Sequence, residues 1–407
     1  MCIMLIMKKF NLPFGVEDYL PKDCYTKQVL EQKITDIFFN AGFDKIETGE
    51  IEYFDLYDGV LSRDSLNKTF KFTDTDGQLL VLRPDTTMQV LRLASNKLDS
   101  DISKLYYIQK SFEFLPTGTS HSARSREFSQ IGIEILGNSG IAGDIEAVVL
   151  AINALKAAGL KDFIIELGHV DFLNGILGEL NLSKNDLDEL RDIVNSKDAL
   201  GLEIFISKNK FDTDTVDVFK NLNSLFGGQK TLKKARDLVK NKMSLNALDG
   251  LEKTINALKE VDLGDYVKVD LGLVNRGAFY SGMTLKGMVK GFGVSILEGG
   301  RYDNLAASFG KYKGAIGFAI GTKRLIDALK SQGTEEQLPL IDIAYINLDG
   351  FCKTEYDYIN NNDNKNKRII KLFNYTKKQL TDYCKQNNIK KAVIFKDKKT
   401  EEIEVKL

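Results

Sequence analysis

The period of the apolar positions separates helices from strands along this chain. Between residues 24 and 42, Val29, Ile34, Ile37 and Phe38 recur at helical spacing and Ala41-Gly42 supplies a stop, which predicts an amphipathic helix. Extended segments are predicted at 78–84 (QLLVLRP), 104–114 (KLYYIQKSFEF) and 128–137 (FSQIGIEILG). In the last of these, Phe128, Ile131, Ile133 and Ile135 fall mostly on alternate positions, as on a half-buried strand. The connections between them are rich in Gly, Asp and Thr, which suits antiparallel turns. Residues 144–159 predict a helix with Asp144 as its cap and Gly159 as its stop, and the strand FIIELG follows at 163–168.

Residues 170–260 change character: charge-rich, helical in pattern and poor in strand signals, they have the look of an inserted helical module. Strand patterns return from 267 to 298 with Gly272, Gly277, Gly282, Gly287, Gly291 and Gly293, a density that weakens strands unless a backbone or a ligand must approach closely. EGGRYDNL (298–305) and GAIGFAIGTKRL (314–325) follow, the latter a buried strand running straight into a helix. Residues 338–407 predict a separate small α/β unit, with strands LIDIAYINL (340–348) and KAVIF (391–395), a helix near 375–387, and an Asn-rich loop from Asn360 to Asn366. Its lysine excess reads first as a solvated face and second as an RNA-facing patch.

The 407 residues, 43% hydrophobic and 28% charged, suffice for two or three domains with a real core. A formal charge of -1 argues against a dedicated nucleic-acid binder. Cys2, Cys24, Cys352 and Cys384 form no CxxC pair, so neither a metal site nor a disulfide framework is expected, and the usage fits a reducing cytoplasm. No stretch reaches the length of a membrane span. His121 and His169 are the only histidines, and each reads more simply as structural or loop polarity than as a catalytic base. No phosphate loop, dinucleotide glycine fingerprint or nucleophile elbow is complete.

The informative feature is a set of polar residues on strands that otherwise read as buried. Arg83, Asp85 and Thr87 follow an apolar run, Gln130 and Glu134 share one strand face, Glu298, Arg301 and Asp303 flank a glycine pair, and Arg324 ends an apolar run. A buried carboxylate needs a partner. Structural ion pairs, such as Asp85 with Arg83, are one reading. A polar pocket is the other, and its acidic and amide lining suits the ammonium group of a small amino acid.

LRPDTT (82–87), YYIQKSFEF (106–114), REFSQIGIEILG (126–137), EGGRYDNL and GAIGFAIGTKRL together resemble the histidyl-tRNA synthetase series, in its order and at about its spacing. The resemblance covers about residues 12–330, and the tail 375–407 is similar to the end of the family's anticodon-binding domain. It implies an α+β fold of the class II aminoacyl-tRNA synthetase type: an antiparallel sheet flanked by helices, split by a helical insertion, with a small C-terminal α/β domain. The implied divisions are 1–169 and 261–332 for the core, 170–260 for the insertion and 338–407 for an eroded anticodon-binding domain.

By the same resemblance Asp85 and Thr87 hold a substrate ammonium, Gln130 and Glu134 recognise the amino group and imidazole of histidine, and Tyr280 is one of a tyrosine pair whose other member is Phe279 here. Arg124, Arg126 and Arg324 match positions that approach ATP phosphates and could contact a nucleotide or effector. Two departures stand against adenylation. Phe112-Glu113-Phe114-Leu115 replaces the segment that carries the α-phosphate arginine, and alignment on Tyr280-Ser281-Gly282 puts Asn275 where a catalytic arginine belongs, with Arg276 one residue off.

A chain that keeps histidine recognition without those arginines is similar to the synthetase paralogue of histidine biosynthesis, the regulatory subunit of ATP phosphoribosyltransferase. IIELGHVDFL (164–173) and DLGLVNRGAFYSG (270–282) carry that likeness. It implies no catalytic residue, no metal and no cofactor. The implied partners are the short-form catalytic subunit, L-histidine as feedback effector, and a second copy of the chain as a homodimer within a hetero-oligomer, with neither membrane nor tRNA involved. Such subunits usually lack a full anticodon domain, so the tail is the imperfect part of the match. A functional histidyl-tRNA synthetase is the alternative, and a synthetase-like module acting on another acceptor is the third reading.

Overall fold

In the computed structural model, which describes residues 11–114, 125–272 and 279–407 apart from positions 181, 197, 210, 212 and 223, the first helical pattern becomes α1 (Pro21–Asn40). Pro21 starts it, where the missing N–H would have had no helical partner anyway. Its buried stripe is Leu30, Ile34 and Phe38, with Val29 and Ile37 at the margins. The Phe38 ring packs against those of Tyr106 and Phe318, at 6.3 and 5.9 Å between centroids. After the short strand β1 (Asp44–Lys45), a small sheet of β2 (Ile51–Tyr53), β3 (Lys71–Thr73) and β4 (Leu79–Leu82) encloses α2 (Arg63–Asn67) in sequence and leads into α3 (Thr87–Lys97).

Among the described residues the main sheet has nine strands. β5 (Ser103–Phe112) and β6 (Glu127–Leu136) are followed by α4 (Ile141–Ala157) and β7 (Phe163–His169). The later strands are β8 (Phe226–Gly227), β9 (Val267–Asp270), β10 (Met283–Val289), β11 (Leu297–Arg301) and β12 (Ala315–Gly321). Their order is β1-β5-β6-β12-β11-β10-β7-β9-β8. The six central strands are antiparallel throughout, as the turn chemistry implies. The sheet as a whole is mixed, because β1 pairs with β5 and β9 with β7 in parallel. Both parallel pairs join strands separated by long excursions, the condition that parallel pairing requires.

The excursion between β7 and β9 is almost entirely helical: α5 (Val170–Gly178), α6 (Lys184–Asn195), α7 (Ala199–Asn209), α8 (Thr213–Leu222), α9 (Gln229–Leu238) and α10 (Lys242–Glu260). Its apolar residues, among them Phe172, Phe219, Leu248 and Leu251, join one continuous core with α1, α4 and the back of the sheet. His169 caps α5, its Nδ1 accepting from the Asp171 N–H at 3.2 Å, which accounts for it structurally.

Asp144 is not the cap of α4. The helix begins three residues earlier, after Gly140, and the Asp144 carboxylate instead takes the guanidinium of Arg301 at 2.6 Å. Arg301 also pairs with Asp303 and donates to the carbonyls of Asn138 and Gly140, so it ties the end of β11 to the start of α4. The Asp85–Arg83 ion pair does not form either. Arg83, 2% exposed, gives its N–H groups to the carbonyls of Thr48, Gly49 and Lys110 and to the side chains of Thr48 and Gln89.

Beyond β11 come α11 (Asp303–Ser308) and α12 (Thr322–Gln332), and the first compact unit ends at Glu335. The second unit, Glu336–Leu407, contains β13 (Ile343–Asn347), α13 (Lys353–Ile359), β14 (Ile369–Lys371), α14 (Lys377–Gln386), β15 (Lys391–Lys396) and β16 (Lys399–Glu404). Its sheet runs β14-β13-β15-β16, parallel except for the last strand. A capping box of Thr376 and Gln379 opens α14. Asp397 and Lys398, both with positive φ, make the two-residue hairpin to β16. Among the described residues no helix is long and apolar enough to cross a membrane.

Candidate functional site

Residues directly opposite one another on neighbouring strands project to the same face of a sheet. The register therefore lines up Tyr107, Gly132, Ala319, Glu298 and Lys286 in one row, and Leu105, Glu134, Gly317, Gly300 and Thr284 in the next. Small residues fill the middle of both rows and leave a hollow on the sheet between longer polar side chains. The close approach is enforced at two glycines. A Cβ on Gly317 would stand 1.8 Å from Glu134 Oε2 and 2.3 Å from the Ile133 carbonyl, and one on Gly132 would meet the Tyr107 ring at 2.5 Å.

The hollow is a cavity of about 240 Å³, walled by Asp85, Thr87, Tyr107, Gln130, Glu134, Phe279, Tyr280, Glu298 and Tyr302 around the glycine floor. Asp85 and Thr87 come from the start of α3. Asp85 Oδ1 accepts from the Met88 N–H at 3.3 Å, and its own carbonyl accepts from the Tyr57 hydroxyl at 3.0 Å. Glu134, 2% exposed, accepts from the Tyr302 hydroxyl, and Thr87 lies within hydrogen-bonding reach of both Glu134 and Tyr107. Gln130 Oε1 accepts from Ser111 at 3.1 Å.

Three carboxylates and no Lys, Arg or His line this cavity among the described residues. Burial pushes the Glu134 carboxyl up to about 8, against the pull of Tyr302 and Thr87, and neighbouring Asp85 pushes the same way. Burial likewise raises Asp85, opposed by the N–H groups of Met88 and Thr87. Two buried like charges resist joint ionisation, and a cation between them removes the resistance. The arrangement is suited to a small cationic group.

All five residues expected to hold histidine, Asp85, Thr87, Gln130, Glu134 and Tyr280, thus stand around one cavity. Of the three expected nucleotide contacts, Arg324 lines a neighbouring cavity of about 260 Å³ that shares Gln130, Glu298 and Ala319 with the first. Arg126 stacks over the rings of Phe14 and Phe114. Arg124 lies outside the described residues, as do Asn275 and Arg276. The second cavity is lined by Glu113, Glu298 and Asp327 as well as Lys323 and Arg324. Lys323 is paired with Glu17 at 3.1 Å and Asp327 at 3.5 Å, and Arg324 donates to the Ser295 carbonyl at 3.0 Å.

Tyr107 and Tyr302 belong to the site and were not singled out from the sequence. Tyr107 sits in the continuous apolar run 105–108 (LYYI), which signals only burial. Tyr302 lies between Arg301 and Asp303, which draw attention as charges, and only the turn after β11 swings it over Glu134.

The antiparallel centre, the glycine floor and the acidic cavity define a protein of the histidyl-tRNA synthetase type, and the family model described as Histidyl-tRNA synthetase matches residues 15–325. Similar in fold, with a TM-score of 0.78 and 18% identity over 97% of each chain, is a histidyl-tRNA synthetase from Nostoc sp.. A protein from Bacillus halodurans described as an ATP phosphoribosyltransferase regulatory subunit/histidyl-tRNA synthetase has a TM-score of 0.83 and 27% identity, covering 95% of this chain and 98% of its own.

Two relatives called ATP phosphoribosyltransferase regulatory subunit narrow the class. The one from Ruminiclostridium cellulolyticum is 35% identical over 82% of this chain and 80% of its own, and the one from Clostridium botulinum 31% over 98% and 97%. The chain belongs to the family of ATP phosphoribosyltransferase regulatory subunits. The C. botulinum match spans nearly the whole chain, so the C-terminal unit is a shared feature and not an oddity of this sequence.

Proposed function

We propose that this chain binds L-histidine in the cavity on the main sheet and, assembled as a homodimer with the short-form catalytic subunit in a cytoplasmic hetero-oligomer, activates ATP phosphoribosyltransferase until histidine reverses the activation. The observation that carries the reading is the cavity itself: small, floored by glycines and lined by Asp85, Glu134 and Glu298 without a cation among the described residues. At about 240 Å³ it falls below the roughly 300–1,000 Å³ typical of sites for drug-sized ligands and suits one small amino acid. Asp85 and Thr87 would take the ammonium group, and Gln130, Glu134 and Tyr280 the remainder.

The chain itself would perform no adenylation. Glu113 faces the neighbouring cavity where an arginine would serve a phosphate, and a like charge about 4 Å away costs roughly 4 kcal/mol at an effective dielectric near 20. Of the two described cations there, Lys323 is neutralised by Glu17 and Asp327. Histidine would act by binding one arrangement of the complex better than another, since a ligand shifts an equilibrium only by its differential affinity.

The test mixes the purified chain with the catalytic subunit of the same organism and follows phosphoribosyl-ATP formation with and without histidine. Strong activation that histidine reverses is the expected result. Absence of both association and activation would refute it, and histidine-dependent ATP–pyrophosphate exchange by the chain alone would restore the synthetase reading.

A further inference from the structure

Around the cavity, described groups from several elements approach Glu134. Tyr107 approaches it from β5, Asp85 and Thr87 from the start of α3, Tyr280 from the segment before β10, and Tyr302 from the turn into α11, while β12 offers only Gly317. Glu298 stands on the far wall. The titratable neighbours among the described residues are therefore two carboxylates and three phenols, and no described cation balances them. Such an enclosure holds a carboxyl group most stably with its proton on, until something basic arrives.

We propose that Glu134 carries its proton into the ligand complex and gives it to the ring of the bound amino acid, so that the site selects its ligand by side-chain basicity. The inference rests on the histidine reading above. In the step, the O–H bond of Glu134 breaks and an N–H bond forms on the imidazole. The electron pair stays on the carboxylate, where the Tyr302 hydroxyl and Thr87 stabilise it, and no proton is exchanged with solvent. With Glu134 near 8 and an imidazole near 6.5 in water, transfer between separated groups is unfavourable by about thirtyfold, and desolvating the imidazolium adds to that. Contact between imidazolium and carboxylate at an effective dielectric near 20 favours it by on the order of a thousandfold or more. Tyr302 is then a positioning residue for selectivity: it strengthens the ionised, ligand-bound form of Glu134.

The experiment uses the full chain and ¹⁵N-labelled histidine, with thiazolylalanine as a ligand of similar shape and a barely basic ring. The bound histidine ring should show the imidazolium ¹⁵N signature at pH 7.5, where the free ring is neutral, and thiazolylalanine should bind at least thirtyfold more weakly. Tyr302→Phe should weaken histidine about tenfold and thiazolylalanine less than twofold. Calorimetry in two buffers of different ionisation heat should show no more proton uptake for histidine than for the thiazole. A neutral bound ring, equal weakening of both ligands by Tyr302→Phe, or one proton drawn from the buffer by histidine alone would overturn the proton store while leaving histidine binding intact. Failure of histidine to bind at any pH would overturn the binding reading, and this proposal with it.

Discussion

Replacing Arg301 by alanine should destabilise the larger unit by about 3–5 kcal/mol. The side chain is 7% exposed and sits between Asp144, itself 15% exposed, and Asp303, 26% exposed. Truncation would leave Asp144 without its 2.8 and 2.6 Å bonds and strip the Asn138 and Gly140 carbonyls of their donors. The Asp303 pair adds less, because it is closer to water. At roughly 3 kcal/mol per M for a unit of this size, the urea midpoint should fall by about 1–1.7 M, read by circular dichroism because the chain has no tryptophan.

Burial already raises the Asp144 carboxyl, with Arg301 pulling the other way. Without the arginine that carboxyl keeps its proton to higher pH, so the variant's deficit should shrink toward pH 4–5 and widen toward neutrality. Arg301→Ala combined with Asp144→Ala should recover part of the loss, since no buried carboxylate is then stranded. A loss under 1 kcal/mol, or a double variant no better than the single, would refute the assignment of Arg301 as the clamp between β11 and α4.

Asp85→Ala should weaken histidine about 10- to 100-fold by calorimetry, the scale of one charge-assisted hydrogen bond, and blunt feedback on the assembled enzyme correspondingly. Gly317→Ala drives a Cβ against both Glu134 and the Ile133 carbonyl, so it should cost about 1–3 kcal/mol in unfolding experiments and remove detectable histidine binding. Glu134 should make the ligand-free protein less stable as pH rises. Its folded carboxyl titrates near 8, above its ordinary value, so the unfolded chain gives up its proton first and the contribution is lost between about pH 4.5 and 8. Glu134→Gln should flatten that part of the profile, and an unchanged slope would contradict the buried proton.

Much of the architecture was legible as periodicity. The i, i+4, i+8 stripe of α1 and the alternation in β6 each state a period and a buried face, and local period needs no knowledge of the rest of the chain. Resemblance of motifs then supplied Asp85, Thr87, Gln130, Glu134 and Tyr280 as a group. β16 was not legible: KTEEIE is nearly all polar, and it becomes a strand only because β15 offers an edge and Asp397-Lys398 turns the chain back onto it.

The sequence by itself therefore determined the secondary structure of the strongly periodic segments, the family, and which residue types the site would contain. Tertiary structure alone decided how charge is distributed among them. Asp144 looks like a helix cap and is the partner of Arg301, 157 residues away. Arg83 looks like the partner of Asp85 and is spent on backbone carbonyls, which leaves Asp85 facing the cavity. Tyr302 reaches Glu134 across 168 residues and Gly317 makes room for both. Local periodicity follows from the geometry of one helix or strand, whereas the protonation and partners of a buried group depend on what distant segments bring within a few ångströms, and a pattern along the chain does not contain that distance.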